Sequence, residues 1–232
     1  MIFHCSDLAG WHIKSSDRHR FLLHDILFDS RTGQVHRFVI IRADETGEKF
    51  LLIDADKVDS YCESKREIHV CRTAEEFQHA LPLEQDPPLD MQEASHLVAY
   101  YDWPTYWAVQ QKKMSELRIA SEEVAGSNWN PWLWSAGSLL GFDVYRQDKH
   151  IGQIADLVMD TATRHIITVA VAANQSANFG DLHLRSCDLS VPDFVKRFVV
   201  ANVPGVVVSH QEDCGRKTSL PVVPRESLCQ SR

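Results

Sequence analysis

Asp25 and Asp29 lie four residues apart, and Asp156 and Asp160 repeat that spacing. Two carboxylates held close together would suit a general acid and its base, or two oxygen ligands for a hard cation. The twelve histidines add imidazoles. His19 and His150 fall in turns, while His24 with His36, and His165 with His183, fall on neighbouring strands. His4 beside Cys5 offers the minimum of a thiol nucleophile and its base. No third group stands at a telling distance from any of these pairs. Asp29 and Asp160 sit where a strand runs into a turn, and there a carboxylate accepts backbone N–H groups. Asp25 and Asp156 sit mid-strand and are read as outward-facing or bonded to backbone. No G-x-S-x-G, H-E-x-x-H, P-loop or dinucleotide fingerprint is present. The six cysteines (Cys5, Cys62, Cys71, Cys187, Cys214, Cys229) form no C-x-x-C, so paired zinc ligands are missing and free thiols are expected. Residue types alone therefore predict no catalytic residue, no metal ligand and no cofactor.

The other chemistry on offer is aromatic. "YYDWPTYW" at 100–107 and "WNPWLW" at 129–134 hold five of the six tryptophans. Such rings anchor protein interfaces. Tyr101, Trp103, Tyr106, Trp107, Trp129, Trp132 and Trp134 are the candidate interaction residues, either seating the connecting segment on a β domain or meeting a second subunit. They lack the basic neighbours that stacked nucleic-acid bases would want. The net charge is −8; residues 1–125 carry 14 Lys and Arg against 22 Asp and Glu, and residues 126–232 carry 10 of each. With no basic stripe, direct nucleic-acid binding is not expected, and an acidic half suits a basic protein partner.

These residues are positioned by two copies of one object. "LAGWHIKSSDRHRFLLHDILFDSRTGQVHRFVII" from Leu8 aligns with "LLGFDVYRQDKHIGQIADLVMDTATRHIITVAVA" from Leu139, at an offset of 131 and without a gap. Leu8, Gly10, Asp17, His19, Asp25, Asp29 and Thr32 match Leu139, Gly141, Asp148, His150, Asp156, Asp160 and Thr163. The register still holds at Lys65-Arg66 with Lys196-Arg197, about 65 positions in all. Two copies this far apart imply two similar domains. Short apolar runs punctuated by Asp, Gly and Thr predict strands: near 10–15, 21–28, 34–43, 49–54 and 67–71 in copy one, and near 141–146, 151–159, 165–173, 180–185 and 197–201 in copy two. Five or six strands around one core suggest a small barrel, which leaves no open edge. Between the copies, "LDMQEASHLVAYY" predicts a helix with Asp90 as its N-cap and an apolar face of Met91, Ala94, Leu97, Val98 and Tyr101.

The pattern of Leu-Gly-aromatic, a turn with Asp, "IGQIADLVMD", a Thr-containing turn and an apolar strand resembles the PRC-barrel family. That domain occurs in the cytoplasmic part of the photosynthetic reaction centre H subunit and in a ribosome maturation factor. Copy two carries the pattern best, from Leu139 to Val171. Copy one departs at Phe21, where copy two has Gly152, which implies a different local bend or a filled pocket there. "REIHVCRTAEEFQHALPLEQDPPLDMQEASHLVAYYDWPTYW" is similar to the tail of stand-alone bacterial PRC-barrel proteins, so the resemblance spans roughly 7–205.

The resemblance implies a mainly β chain. A first PRC-like barrel would occupy residues 1–80, a helical, aromatic-rich connector 81–137, a second barrel 138–208, and a partly mobile tail 209–232, in which "SLPVVP" can form an edge strand. It also implies a non-catalytic binding or assembly protein that docks on a reaction-centre-like membrane complex from the cytoplasmic side. The alternative is a ribosome- or RNA-processing-associated factor that binds a basic ribosomal protein, and a ligand-binding or enzymatic β-barrel is a further one. A homodimer through the connector is expected. No apolar run reaches the roughly 18–20 residues of a membrane helix, and the first residues lack a signal-peptide pattern, so no integral membrane segment and a cytoplasmic location are expected.

Overall fold

The computed structural model describes residues 1–44, 47–92, 130–173 and 182–202. The first half contains β1 (Ile2–His4), α1 (Cys5–Leu8), β2 (His12–Lys14), β3 (Arg20–Asp29), β4 (Val35–Asp44), β5 (Gly47–Asp54), β6 (Val58–Cys62), β7 (Glu67–Val70) and α2 (Ala74–Gln78). The second contains β8 (Leu133–Ser135), α3 (Ala136–Leu139), β9 (Asp143–Arg146), β10 (Lys149–Asp160), β11 (His165–Ala173), β12 (Leu182–Leu184) and β13 (Phe198–Val200). The architecture is mainly β, as the sequence implies. Alternation of apolar and polar residues in the long strands turns one face of each inward: in β3, Leu23, Ile26 and Phe28 are buried, and in β10, Ile154, Leu157 and Met159.

The strands form two sheets. One runs β5-β4-β3-β2-β7-β6, the other β12-β11-β10-β9-β13, and neither path closes on itself among the described residues. Each mixes antiparallel hairpins with one parallel pair, β2 with β7 and β9 with β13. The repeat extends to irregularities. β3 breaks register between Leu23 and Asp25 and between Leu27 and Phe28; β10 does so between Ile154 and Asp156 and between Val158 and Met159. Each pair of breaks is separated by the same 131 residues. Left-handed backbone recurs likewise at Gly10 and Gly141, Gly33 and Arg164, and Arg66 and Arg197. Insertions of this kind bend a strand and sharpen its twist.

The two sheets also exchange their first strands. β1 pairs with β10 of the other repeat, Phe3 opposite Met159. β8 pairs with β3, Trp134 opposite Phe28. Residues 1–8 thus complete the second sheet, and residues 133–139 complete the first. Gln34 bridges its own equivalent, His165, and beside it Val35 N donates to Arg164 O and Ile166 N to Gly33 O. Reciprocal contacts that meet at a self-equivalent pair are the mark of a two-fold relation, here within one chain. Gly33 is required at that crossing: its φ is 77°, and a Cβ would stand 2.6 Å from Ile166 O. The buried side chains accordingly form one main cluster drawn from both halves, including Phe3, Phe28, Phe38, Trp134, Phe142 and Leu157.

The two copies differ where the sequence departs. In copy two a bulge separates His150 from Gly152 where β10 meets β9, and a Cβ on Gly152 would overlap Ala172 O. Copy one has no bulge there: Phe21 pairs with Ile13, and its ring meets Phe77 of α2 edge-on at 4.8 Å. Both the altered bend and the filled space are therefore present. Because the obstacle is backbone, Gly152→Ala is expected to cost about 2–3 kcal/mol, read as a lower urea midpoint at unchanged slope. α2 forms because Thr73 and Glu76 make a reciprocal capping box, and Asp17 of the first hairpin turn accepts from Ala74 N at 3.0 Å.

A second difference is ionic. Glu67 is buried beneath Arg20 (2.5 Å), Lys14 (3.5 Å) and His69 (3.3 Å). The equivalent positions in copy two are Phe198, Ile151, Tyr145 and Val200, and the Tyr145 and Phe198 rings meet edge-on at 5.7 Å. Burial raises the Glu67 carboxyl, but the Arg20 and Lys14 charges outweigh it and hold the group below its ordinary range. Its stabilising contribution is therefore present above the ordinary glutamate pKa and is lost as pH falls through the folded value. Glu67→Gln is expected to flatten the acid side of a plot of Tm against pH; an unchanged acid side would contradict this assignment.

Candidate functional site

The repeated aspartates meet at the seam of the exchange. Asp25 lies in the β3 bulge and points at the start of α3. Its Oδ1 accepts from Gly137 N (2.9 Å) and Ile26 N (2.7 Å), and its Oδ2 accepts from the Ser135 hydroxyl. Asp156 does the same for α1: it accepts from Ser6 N (3.2 Å), the Ser6 hydroxyl and Leu157 N (2.7 Å), with His4 Nδ1 at 3.3 Å. Each mid-strand carboxylate therefore takes up the open N–H groups of a helix supplied by the other repeat. Burial pushes the Asp25 carboxyl above its ordinary value, against the pull of Ser135, Gly137 and Ile26. Asp29 and Asp160 perform the turn role read from sequence. Asp29 accepts from Arg31 N (2.8 Å) and Thr32 N (3.3 Å), and Asp160 from Ala162 N (3.0 Å) and the Thr163 hydroxyl (3.0 Å). Burial raises both carboxyls, but the Arg31 guanidinium and backbone at Asp29, and the Ala162 and Thr163 bonds at Asp160, outweigh it and hold both below the usual range.

Cys5 lies on α1, near Asp156 and Asp25. Burial first, and then the two carboxylates, push its thiol far above the ordinary range. A thiol held protonated is a poor nucleophile. The described histidines do not converge. His24 rests against Phe50 at 4.9 Å, His165 Nδ1 is 2.7 Å from Thr163 O, and His36 and His183 are exposed. His19 and His150 stand beside Asp17 (3.3 Å) and Asp143 (3.0 Å). Among the described residues, no group of three or more His, Cys, Asp or Glu is placed to hold a metal ion.

An open groove borders the seam. About 370 Å³ in volume, it is lined by His24, Asp25, Asp90, Ser135 and Ser138, with apolar sides from Leu27, Val39, Leu83 and Met91. Asp90 was expected to cap a helix. The helical residues begin at 89, so Asp90 lies inside the first turn, and Gln92 N returns to Pro88 O (3.0 Å). Burial raises the Asp90 carboxyl, and nearby Asp25 adds to the effect against a bond from Ser138. Asp90 Oδ1 is buried without a hydrogen-bond partner. Nothing local to Asp90 in the sequence marks its setting, because the groove joins residues 24–39, 83–91 and 135–138, each stretch more than forty residues from the next.

The aromatic candidates divide. Tyr101, Trp103, Tyr106, Trp107 and Trp129 lie outside the described residues, as does the rest of the expected helix. Trp134 is 1% exposed; its ring stands edge-on to Phe28 at 6.2 Å, and its Nε1 donates to Pro131 O at 2.9 Å. It anchors the exchanged strand from inside. Trp132 is 37% exposed and carries the Arg31 guanidinium 5.2 Å above its ring. Within the connector, Gln92 and Asn130 hold each other, Asn130 N donating to Gln92 Oε1 (3.1 Å) and Gln92 Nε2 to Asn130 O (3.4 Å). No described helix is long and apolar enough to cross a membrane. A scan against protein-family models finds no match to this chain, and a search of curated proteins finds none either.

Proposed function

We propose that the chain is a non-catalytic assembly protein built from two PRC-like barrel domains, docking as one body on a macromolecular complex. The observation that carries this reading is the use of the repeated carboxylates. Asp25 and Asp156 hold the two halves together, Asp29 and Asp160 form turns, and their oxygens are taken up by backbone N–H groups, by hydroxyls and by the Arg31 and His4 side chains. Groups so occupied supply rigidity rather than acid–base chemistry. The matching bulges and the bent sheets fit a pair of small barrels. Through the resemblance, the complex is reaction-centre-like and approached from the cytoplasmic side. The acidic first half keeps a basic ribosomal protein as the alternative partner. Asp90 Oδ1, unpartnered in a part-apolar groove, favours a second reading in which a small organic cation binds there.

The test is capture of the tagged chain from native host lysate, with membrane and soluble fractions kept apart. Near-stoichiometric recovery of one membrane complex supports the leading proposal, and recovery of a ribosomal particle supports the alternative. Recovery of the chain by itself removes both and leaves the groove.

A further inference from the structure

The groove at the seam has a polar side and an apolar side. Asp25 belongs to the first half and Ser135 and Ser138 to the second, so the exchange itself makes the polar side. Leu83 and Met91 come from the segment that crosses the first sheet, where Leu52 N donates to Leu81 O at 2.8 Å. They extend the apolar cluster of Leu27, Val39, Leu52 and Leu133.

The repeat shows what this place is missing. In the second sheet Asp156 has a basic nitrogen beside it, His4 Nδ1 at 3.3 Å. At the equivalent position of the first sheet stands Ser135, whose hydroxyl donates to Asp25 and carries no charge. The first sheet adds instead a second carboxyl, Asp90. Its Oδ1 is buried and has no hydrogen-bond partner among the described residues. Burial raises this carboxyl against a bond from Ser138, and the Asp25 charge adds to the rise. His24 lines the groove too, but it is exposed and rests against Phe50 at 4.9 Å. Two carboxyls are therefore gathered here without, among the described residues, the close basic nitrogen that answers Asp156 in the other copy.

The occupant's chemistry follows. Oδ1 of Asp90 wants a donor, and the paired carboxyls want positive charge. Asp25 offers charge alone, because its oxygens already accept from Gly137 N, Ile26 N and the Ser135 hydroxyl. A divalent metal ion takes six or more oxygens, and no group of three or more His, Cys, Asp or Glu is placed for one among the described residues. A quaternary ammonium brings charge but no donor. The apolar side adds a place for a short alkyl chain, and a volume of about 370 Å³ is at the small end of ligand sites. We propose that the groove binds a small primary alkylammonium, with an N–H donating to Asp90 Oδ1 and the alkyl chain against Leu83 and Met91. This rests on the reading of the groove as an organic-cation site and narrows it to a cation that donates a hydrogen bond.

NMR titration of the full chain at neutral pH and constant ionic strength tests it, with the Asp90, Gly137 and Ser138 amides followed. The probes are n-butylammonium and butyltrimethylammonium, which share a charge and an alkyl chain and differ in the N–H donor. The expected result is a saturable shift with n-butylammonium, and a Kd roughly tenfold higher or more both for butyltrimethylammonium and in the Asp90→Asn variant. Should Asp90→Asn fail to fold, the two probes on the parent chain decide by themselves. Equal affinity for the two probes overturns this inference and leaves the cation reading standing. Equal affinity of n-butylammonium for parent and folded Asp90→Asn also overturns it, because the carboxylate is then not the acceptor. No saturable shift with either probe overturns both the inference and the cation reading.

Discussion

Trp134→Ala is expected to lower the unfolding free energy by about 4 kcal/mol, a large part of the 5–15 kcal/mol typical of a domain. The indole is 1% exposed and is among the largest fully buried side chains of the chain. It comes from the second half and fills the core of the first, against Phe28. The cost is therefore one of a cavity plus a lost plug between halves, and the variant loosens both together. Its equivalent, Phe3, packs on Trp11 at 5.2 Å and Tyr61 at 6.1 Å, so Phe3→Ala should cost about 3 kcal/mol for the same reason. Urea unfolding followed by tryptophan fluorescence and by circular dichroism gives both values. A single transition at a lower midpoint fits the shared core. Two separate transitions, or a Trp134→Ala shift below about 1 kcal/mol, would show that the halves do not share it.

Asp25→Ala should cost about 3 kcal/mol, because Gly137 N–H, Ile26 N–H and the Ser135 hydroxyl lose their acceptor together, and a buried donor left unpaired costs about 1–3 kcal/mol. Asp25→Asn is the control. Its carbonyl oxygen still accepts both backbone bonds and its amide donates to Ser135 Oγ, so at neutral pH it should cost about 1 kcal/mol or less. The pH dependence has a definite sign. With the folded carboxyl raised by burial, the folded chain holds this proton to higher pH than the unfolded chain does. Stability from this group is full below the ordinary aspartate pKa and declines as pH rises through the folded value. The advantage of wild type over Asp25→Asn should therefore be larger at pH 4 than at pH 7. Comparing the two proteins cancels the opposite trend of Glu67. A difference that grows with pH would mean that the carboxylate is stabilised in place, and that the hydrogen bonds outweigh burial.

Much of the fold was legible because the repeat keeps its register. A run such as Val35 to Ile40 announces its strand by composition, and Asp29 and Asp160 announce their turns by position. The exchange was not legible. β1 and β8 are three residues long, too short for an alternation to register, and nothing in "IFH" or "LWS" says which sheet they join. A signal did exist in Asp25 and Asp156: a carboxylate kept mid-strand in both copies needs a donor from elsewhere, and each repeat is preceded by a short helix with open N–H groups. β6 was missed because Val58–Cys62 has only half-buried or exposed residues, so no apolar run marks it. The helix start was misplaced by two residues, because Pro88 already holds the boundary, its carbonyl receiving the first bond from Gln92 N, which leaves Asp90 inside the first turn.

The reciprocal strands also impose an order on synthesis. Ile2–His4 has no strand to join until Val158–Asp160 has been made, and β3 keeps an open flank until Leu133–Ser135 arrives. At about 5–20 residues per second on the ribosome, the amino-terminal arm waits roughly 10–30 s for its partner. Until then the first half is an incomplete sheet with an exposed edge and a vacancy where Trp134 will sit. The two sheets can be completed only after residue 160 has been made, and in that interval the chain is most exposed to mispairing with a neighbouring nascent copy.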